Sequence, residues 1–421
     1  MRITLLNQFY EPDIAPTAVL AASLARHLAR EGHTVTVVAS RGGYQPVAVT
    51  GTTGDITAPP SSTPPVDVRR LWTPRFGKAR LLGRLLDYLA YYLLAAWTLL
   101  RLPRQDVVIS LTTPPFIVAA ALLHRLLHRG SRVVLWNMDC YPEAPERAGM
   151  IREGGLPSRL LRAFNGTLIR SVDQIVCLDG AMRQLLQENY GRTETLPIEI
   201  IPNWEPLALF PGSQVPDRSQ RDPSRPLVVL YQGNAGVGHE FETVLACAER
   251  LRDLPVIFRF VGGGQWWPWL QQQQGRPELP GWEVRPYVPK SETPALLAEA
   301  DVALITLRET SQGVMSPSKL HSNLAAGLPV LSIGPEGSNI DEAIARFGCG
   351  VSLRNGDVDG TEQFLRGLIA APERRGELGQ RARQAFEQAY CDQQTLPAFS
   401  RLIARLASLP AGHTLPMMAS R

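Results

Sequence analysis

Leu227-Val228-Val229-Leu230-Tyr231-Gln232-Gly233-Asn234-Ala235-Gly236-Val237-Gly238-His239 reads as a strand that ends in a glycine-rich turn ahead of a helix. It follows a stretch poor in hydrophobic periodicity, so it marks a restart. A helix at 241–251 comes next, then a strand at 256–261 that ends in Gly262-Gly263-Gly264. Further strands fall near Val284, at 302–305 and at 330–333, with helices between them. The N-terminal half shows the same alternation. Strands are expected at 3–6, 34–39, 106–111, 133–136, 174–178 and 198–201, and Leu20, Leu24 and Leu28 share one face of a helix over 17–30. Strand, helix and parallel strand at this spacing imply right-handed crossovers. Two doubly wound α/β units in tandem follow.

The length of 421 residues supports two domains, because single cores stop growing near roughly 250–300 residues. The first is expected over 1–205 and the second over 226–385. The segment 205–225, rich in Pro, Ser and Asp, reads as the linker. Residues 386–421 are expected to be helical and to cross back to the first domain, with the last dozen frayed. Residues 42–67, rich in Pro, Gly, Ser and Thr, read as a long surface loop.

With 44% hydrophobic and 19% charged residues, the chain is globular rather than disordered. A net charge of +4 is too small to argue for nucleic acid and is compatible with an anionic membrane surface. Cys140, Cys177, Cys247, Cys349 and Cys391 are odd in number and scattered. They read as reduced thiols of a cytoplasmic protein, not as a disulfide frame or zinc site. The chain enters its first strand at once, with no secretory pattern ahead of it.

Residues 86–100 are unusually apolar and are flanked by Arg75, Lys78, Arg80, Arg84, Arg101 and Arg104. The stretch is shorter than the about 20 residues a membrane span needs, and Asp87 interrupts it. It reads either as a helix buried on the sheet or as an interfacial helix with Trp97 at headgroup level.

Three motifs could carry chemistry. In the turn at 233–238, Gly233, Asn234 and Gly236 could let backbone N–H groups approach a diphosphate. In Ser316-Pro317-Ser318-Lys319, Ser318 is a candidate helix N-cap and Lys319 a candidate phosphate partner. At Asp139-Cys140-Tyr141-Pro142-Glu143, two carboxylates four residues apart follow a strand. They suit acid/base work or hydroxyl binding, or else a cap and a surface charge.

Taken in order, these features resemble the family 4 glycosyltransferases of the GT-B fold, over nearly the whole chain. The matching residues are Tyr10-x-Pro12, Gly32-His33-Thr34-Val35, Thr113-Pro114-Pro115, Asp139 to Glu143 and Ile201-Pro202-Asn203-Trp204. Gly233-Asn234-x-Gly236 and Pro317-Ser318-Lys319-Leu320, with Leu324-Ala325-Ala326-Gly327-x-Pro329-Val330, match the second half. The nearest subgroup makes capsule, O-antigen or colanic-acid-type polysaccharides.

The resemblance implies two Rossmann-like domains facing a cleft, and a retaining, metal-independent hexosyltransferase with no cofactor. The donor would be a UDP- or GDP-sugar and the acceptor a lipid-diphosphate-linked glycan, at the inner face of the plasma membrane, with residues 75–104 on the lipid. Gly233, Asn234, Gly236, His239, Tyr287, Val288, Ser316, Ser318 and Lys319 would meet the donor. Tyr10, Pro12 and Asp13 would meet the acceptor, and Asp139 and Glu143 would be catalytic. The chain departs from the family at two positions usually held by glutamate, Val314 and Ser322, with Glu309 upstream. Val237 stands where many members have arginine. A sugar-nucleotide epimerase and an inactive scaffold subunit are the alternatives.

Overall fold

The computed structural model describes residues 1–13, 15–41, 65–74, 81–191, 195–222 and 224–409, and of residues 81, 82 and 84 only the backbone. Arg75, Lys78, Arg80, the side chain of Arg84, most of the loop expected at 42–67 and the end expected to fray at 410–421 lie outside that description.

The chain divides into two compact units. The first comprises Met1–Leu178, Met182–Ile201 and Leu396–Arg421, and the second comprises Asp179–Ala181 and Pro202–Thr395.

The first unit holds seven parallel strands: β1 (Arg2–Leu6), β2 (Thr34–Ser40), β3 (Asp67–Leu71), β4 (Val107–Ser110), β5 (Arg132–Trp136), β6 (Gln174–Cys177) and β7 (Ile198–Ile200). Their order is β3-β2-β1-β4-β5-β6-β7. Its helices are α1 (Pro16–Arg30), α2 (Leu81–Arg101), α3 (Val118–Leu127), α4 (Glu143–Arg147), α5 (Leu156–Ser171) and α6 (Gly180–Tyr190). β4, β5 and β6 are buried along their whole length, as parallel strands covered on both faces must be. Strand order reverses between β1 and β4. Right-handed crossovers therefore place α1 on one face and α2, α3 and α5 on the other. On the α2 side, Asp87, Tyr91, Ala95 and Leu99 are buried at intervals of one turn, and the Tyr91 hydroxyl donates to Val38 O at 2.8 Å.

The second unit repeats the plan with six parallel strands: β8 (Leu227–Asn234), β9 (Val256–Gly263), β10 (Trp282–Pro286), β11 (Val302–Thr306), β12 (Val330–Ile333) and β13 (Gly350–Leu353). Their order is β10-β9-β8-β11-β12-β13. The helices are α7 (Glu242–Arg250), α8 (Trp267–Gln273), α9 (Thr293–Glu299), α10 (Lys319–Ala325), α11 (Asn339–Phe347), α12 (Val358–Ala370) and α13 (Pro372–Ala385). α13 runs into a π-helical turn at Phe386–Tyr390, and then α14 (Asp392–Ser408) begins. Residues of α14 from Leu396 onward cluster with the first unit, where Phe399 packs on Trp136 with ring centroids 4.7 Å apart.

Two strands escape the sequence reading. β3 is an edge strand whose Asp-Val-Arg-Arg-Leu composition carries little strand signal, and β13 is only four residues long. The segment read as a linker, 205–225, is part of the second unit instead. It forms three short 3₁₀ turns, and Phe210 lies in the core. The reason is Arg218, only 1% exposed. Its guanidinium donates to Leu297 O and Ala300 O at the end of α9, and to Ala326 O and Gly327 O just past α10, at 2.8–3.1 Å. One side chain thus donates to carbonyls at two helix ends. Removing it takes this donor from Ala300 O, Ala326 O and Gly327 O in a dry interior, while Leu297 O keeps the N–H of Ala300. Arg218→Leu is therefore expected to cost about 3 kcal/mol or more. A lowered urea midpoint for the second unit would show it, and an unchanged midpoint would refute this role.

Candidate active site

In parallel sheets of this kind ligands settle at the carboxyl edge, beside the point where strand order reverses. In the second unit that edge is formed by the ends of β8 and β9. Gly233 has φ +105° and Gly262 φ +153°, and a Cβ on Gly262 would sit 2.0 Å from Gly233 O. Only glycine fits there. Ala235 N donates to Gly263 O at 2.7 Å, and the Tyr231 hydroxyl donates to Asn234 O at 3.0 Å. Tyr287, half exposed, lies so close to Gly263 that a Cβ there would meet its ring at 2.8 Å. The structure thus brings Gly233, Asn234 and Tyr287 together through Gly262 and Gly263. Those two glycines were legible as a strand end but not as part of a site. Val288 turns inward and packs against the core.

Lys319 projects into this turn region. Its Cε lies 4.0 Å from where a Cβ of Gly233 would be, and its Nζ stands over the Tyr231 ring, 3.7 Å from the centroid. The Nζ is buried and has no hydrogen-bond partner. Burial holds its pKa well below the usual lysine range. A buried ammonium without an acceptor is costly, and an anion placed here would relieve it.

His239 does not add a second donor. Its Nδ1 lies 2.7 Å from Thr306 O, so that nitrogen carries the proton and Nε2 is left as an acceptor. Burial first, then the Lys319 charge, push its pKa down to about 3. Ser318 departs from expectation too: it is exposed, and its side chain caps nothing. Its carbonyl is held instead by His321 Nδ1 at 2.9 Å. Ser316 lies three residues before Lys319 and is half-buried. Gly236 is half-buried, with a Cβ there meeting Asn234 Nδ2 at 3.2 Å, and Val237 is exposed. Of the two positions usually held by glutamate, Val314 is buried in the fold. Ser322 accepts from Gln232 Nε2 at 3.1 Å and donates to Lys319 O at 3.2 Å. Glu309 is exposed and accepts from Asn355 Nδ2 at 3.3 Å.

The corresponding edge of the first unit gathers three loops. Gln8 N donates to Thr113 O at 2.9 Å, and the Thr112 hydroxyl accepts from Met138 N at 3.2 Å and Asp139 N at 3.3 Å. The loops after β1, β4 and β5 are therefore joined. Burial raises the Asp139 carboxyl to about 6, which poises it to exchange a proton near neutrality.

Glu143 differs from the expected acid/base partner. It is 1% exposed, and its Oε1 accepts from the Tyr190 hydroxyl and from Asn189 Nδ2, with Arg162 3.7 Å away. It ties α4 to α6 from inside. Tyr10 and Asp13 are likewise buried, and only Pro12 of that trio is exposed. Arg70 from β3 fixes Tyr10, donating to its carbonyl at 3.2 Å and stacking over its ring.

Two parallel sheets with reversing strand order are two Rossmann-like units, the components of a GT-B fold. The solved structures agree. Sucrose-phosphate synthase from Thermosynechococcus elongatus superposes with a TM-score of 0.67 at 12% identity, covering 96% of this chain and 99% of that one. Anabaena HepE, solved in complex with UDP and glucose, gives 0.65 at 14% identity, covering 96% and 100%. Residues 17–204 match the sequence model of the glycosyl transferase 4-like domain. The probable glycosyltransferase WbjE of Pseudomonas aeruginosa is 26% identical over 354 residues, 83% of this chain and 87% of that protein. The putative colanic acid biosynthesis glycosyl transferase WcaI of Escherichia coli K12 is 30% identical over 205 residues, 47% of this chain and 50% of that protein. The chain is thus similar to glycosyltransferases, and over residues 17–204 to their 4-like domain.

An anion beside Lys319 would raise its depressed pKa toward the ordinary lysine value. Binding of inorganic diphosphate should therefore take up a proton from solution at pH values between the depressed pKa and the ordinary one. Calorimetry in two buffers of different ionisation heat reads that uptake directly, and Lys319→Met should abolish it. Binding with no proton exchange in the wild type would place the anion elsewhere.

Proposed function

We propose that the chain is a retaining, metal-independent hexosyltransferase of cell-surface polysaccharide synthesis. It moves a sugar from a UDP- or GDP-sugar to a lipid-diphosphate-linked glycan. The observation that carries the donor half is the buried, unpartnered Lys319 ammonium beside the paired glycine turns. The diphosphate would take that cation and the backbone around Gly233–Gly236, while Tyr287 would meet the base. Names among the relatives and neighbours support the rest: WcaI is described for colanic acid, and HepE was solved with UDP-glucose.

The second unit carries the donor and the first the acceptor. The acceptor hydroxyl oxygen bonds the anomeric carbon on the same face from which the diphosphate oxygen leaves, so the configuration is kept, and the bond from that carbon to the diphosphate oxygen breaks. The electron pair leaves on the nucleoside diphosphate, where Lys319 neutralises it. Asp139 accepts the hydroxyl proton, a task its raised pKa allows once it is ionised. Glu143 positions the segment that carries Asp139 by holding α4 to α6.

Asp139→Asn should lower turnover by about 10²- to 10⁴-fold, the span typical of a positioned general base, with nucleotide affinity unchanged. Wild-type kcat/KM should fall as pH drops through about 6, where Asp139 becomes protonated, and the variant should lose that limb. A variant with full activity would remove Asp139 from the chemistry.

A donor screen tests the reading as a whole. The chain is incubated with UDP- and GDP-sugars and a lipid-diphosphate acceptor. Free nucleotide together with extended lipid is the expected result. A sugar nucleotide altered without acceptor would mean an epimerase, and no nucleotide-sugar binding would mean an inactive scaffold.

A further inference from the structure

The helices α2, α3 and α5 cover one face of the first sheet, with α2 packed on α3 and α3 on α5. Their outer sides are apolar. On α2, Leu85, Leu89, Leu93 and Trp97 recur every four residues and are exposed, opposite the buried row from Asp87 to Leu99. On α3, Leu126 and Leu127 are 70% and 64% exposed. On α5, Leu156, Leu160 and Phe164 again repeat every four residues and are exposed. Three neighbouring stripes make one surface far beyond the scattered apolar residues a soluble face normally shows. Among the described residues no helix is long and apolar enough to cross a membrane.

The charges at its margins are predominantly positive. Between residues 85 and 164 the exposed arginines are Arg101, Arg104, Arg129, Arg147, Arg152 and Arg159, and the only exposed acid is Glu153. His124 of α3 bonds Leu99 O of α2, so the two helices end side by side, and Arg104 lies against Gly130 just past α3. Arg101, Arg104 and Arg129 thus gather at one end of the layer. Arg101 also stacks on Trp97 at 4.3 Å, an aromatic–cation pair suited to the headgroup level. Arg152 and Arg159 flank the start of α5.

We infer that this three-helix face docks flat on an anionic lipid bilayer, burying the leucine stripes among acyl chains and setting the arginines on lipid phosphates. A second copy of the chain fits less well, because a symmetric contact through the same patch would set arginine against arginine. The face reaches the acceptor side of the proposed site: Phe164 packs on Phe116 at 5.7 Å, and Phe116 on Tyr141, two residues beyond Asp139. A lipid-borne acceptor would then lie next to Asp139. That last clause rests on the proposed transfer, while the docking itself does not.

The test is flotation of the full chain with phosphatidylcholine vesicles, with and without phosphatidylglycerol. Two variant sets leave α2 untouched. One replaces Leu126, Leu127 and Leu160 by Gln, and the other is Arg129→Glu, Arg152→Glu and Arg159→Glu. The wild type should float with the anionic vesicles, and each set should weaken partition by about tenfold or more. The charge set removes no apolar contact, so its loss of binding cannot be ascribed to misfolding of the helical layer. Several outcomes would overturn the inference: a wild type that stays in solution, equal binding to neutral vesicles, or variants that float as well as the wild type. A wild-type dimer by light scattering that the leucine set dissociates would assign the face to a second copy instead. Donor turnover is not read in this assay, so failure of the transferase reading and failure of docking remain separate results.

Discussion

Where β8 and β9 leave their sheet, Gly262 lies against the carbonyl of Gly233 with no room for a methyl group between them. The rest of the donor edge depends on that closeness. It lets both strands end at the same level, presses Tyr287 onto Gly263, and lets the Gly233–Gly236 backbone turn toward Lys319. Gly238 repeats the constraint a few residues on. A Cβ there would meet Met315 Sδ at 2.7 Å and Ser311 Oγ at 2.9 Å, so its absence allows the segment before α10 to close in. The glycines matter here less for flexibility than for the volume they leave empty.

Within that space the electrostatics are lopsided. The Lys319 Nζ is buried above an aromatic ring with nothing to accept its protons, and His239 is held neutral with its one proton committed to Thr306. A single cation with a depressed pKa binds an anion partly by acquiring its own charge. That couples occupancy to pH and makes the empty site less repellent to the apolar atoms around it. Ser322 accepts from Gln232 Nε2 and so ties the end of β8 to α10.

The sequence made the two-unit plan legible because buried parallel strands are nearly continuous apolar runs, and the helices between them keep their period. Lys319, Asp139 and the Gly233 turn were legible because each lies at a strand or helix end, where ligands gather. Other features were hidden by their chemistry. Glu143 looks like a second catalytic carboxylate until the partners on α5 and α6, Arg162, Asn189 and Tyr190, are seen around it. Residues 205–225 look like a linker because much of their packing is done by a long cation, Arg218, and cations usually signal solvent. The apolar stripes of α3 and α5 read as ordinary core periodicity. Only the fold reveals that these leucines point away from the sheet.

The crossing at Thr395 and Leu396 has a further consequence, for the order in which the chain takes shape. Domains emerging from a ribosome usually complete in sequence, the N-terminal one first. Here the first unit cannot. Trp136 waits for Phe399, His27 for Ser400 and Glu199 for Arg405, all of which are synthesised after the whole second unit. The second unit, complete at Thr395, is the one free to finish early. Until α14 arrives, the nascent first unit leaves part of its sheet uncovered, and with it an apolar surface that chaperones would have to shield.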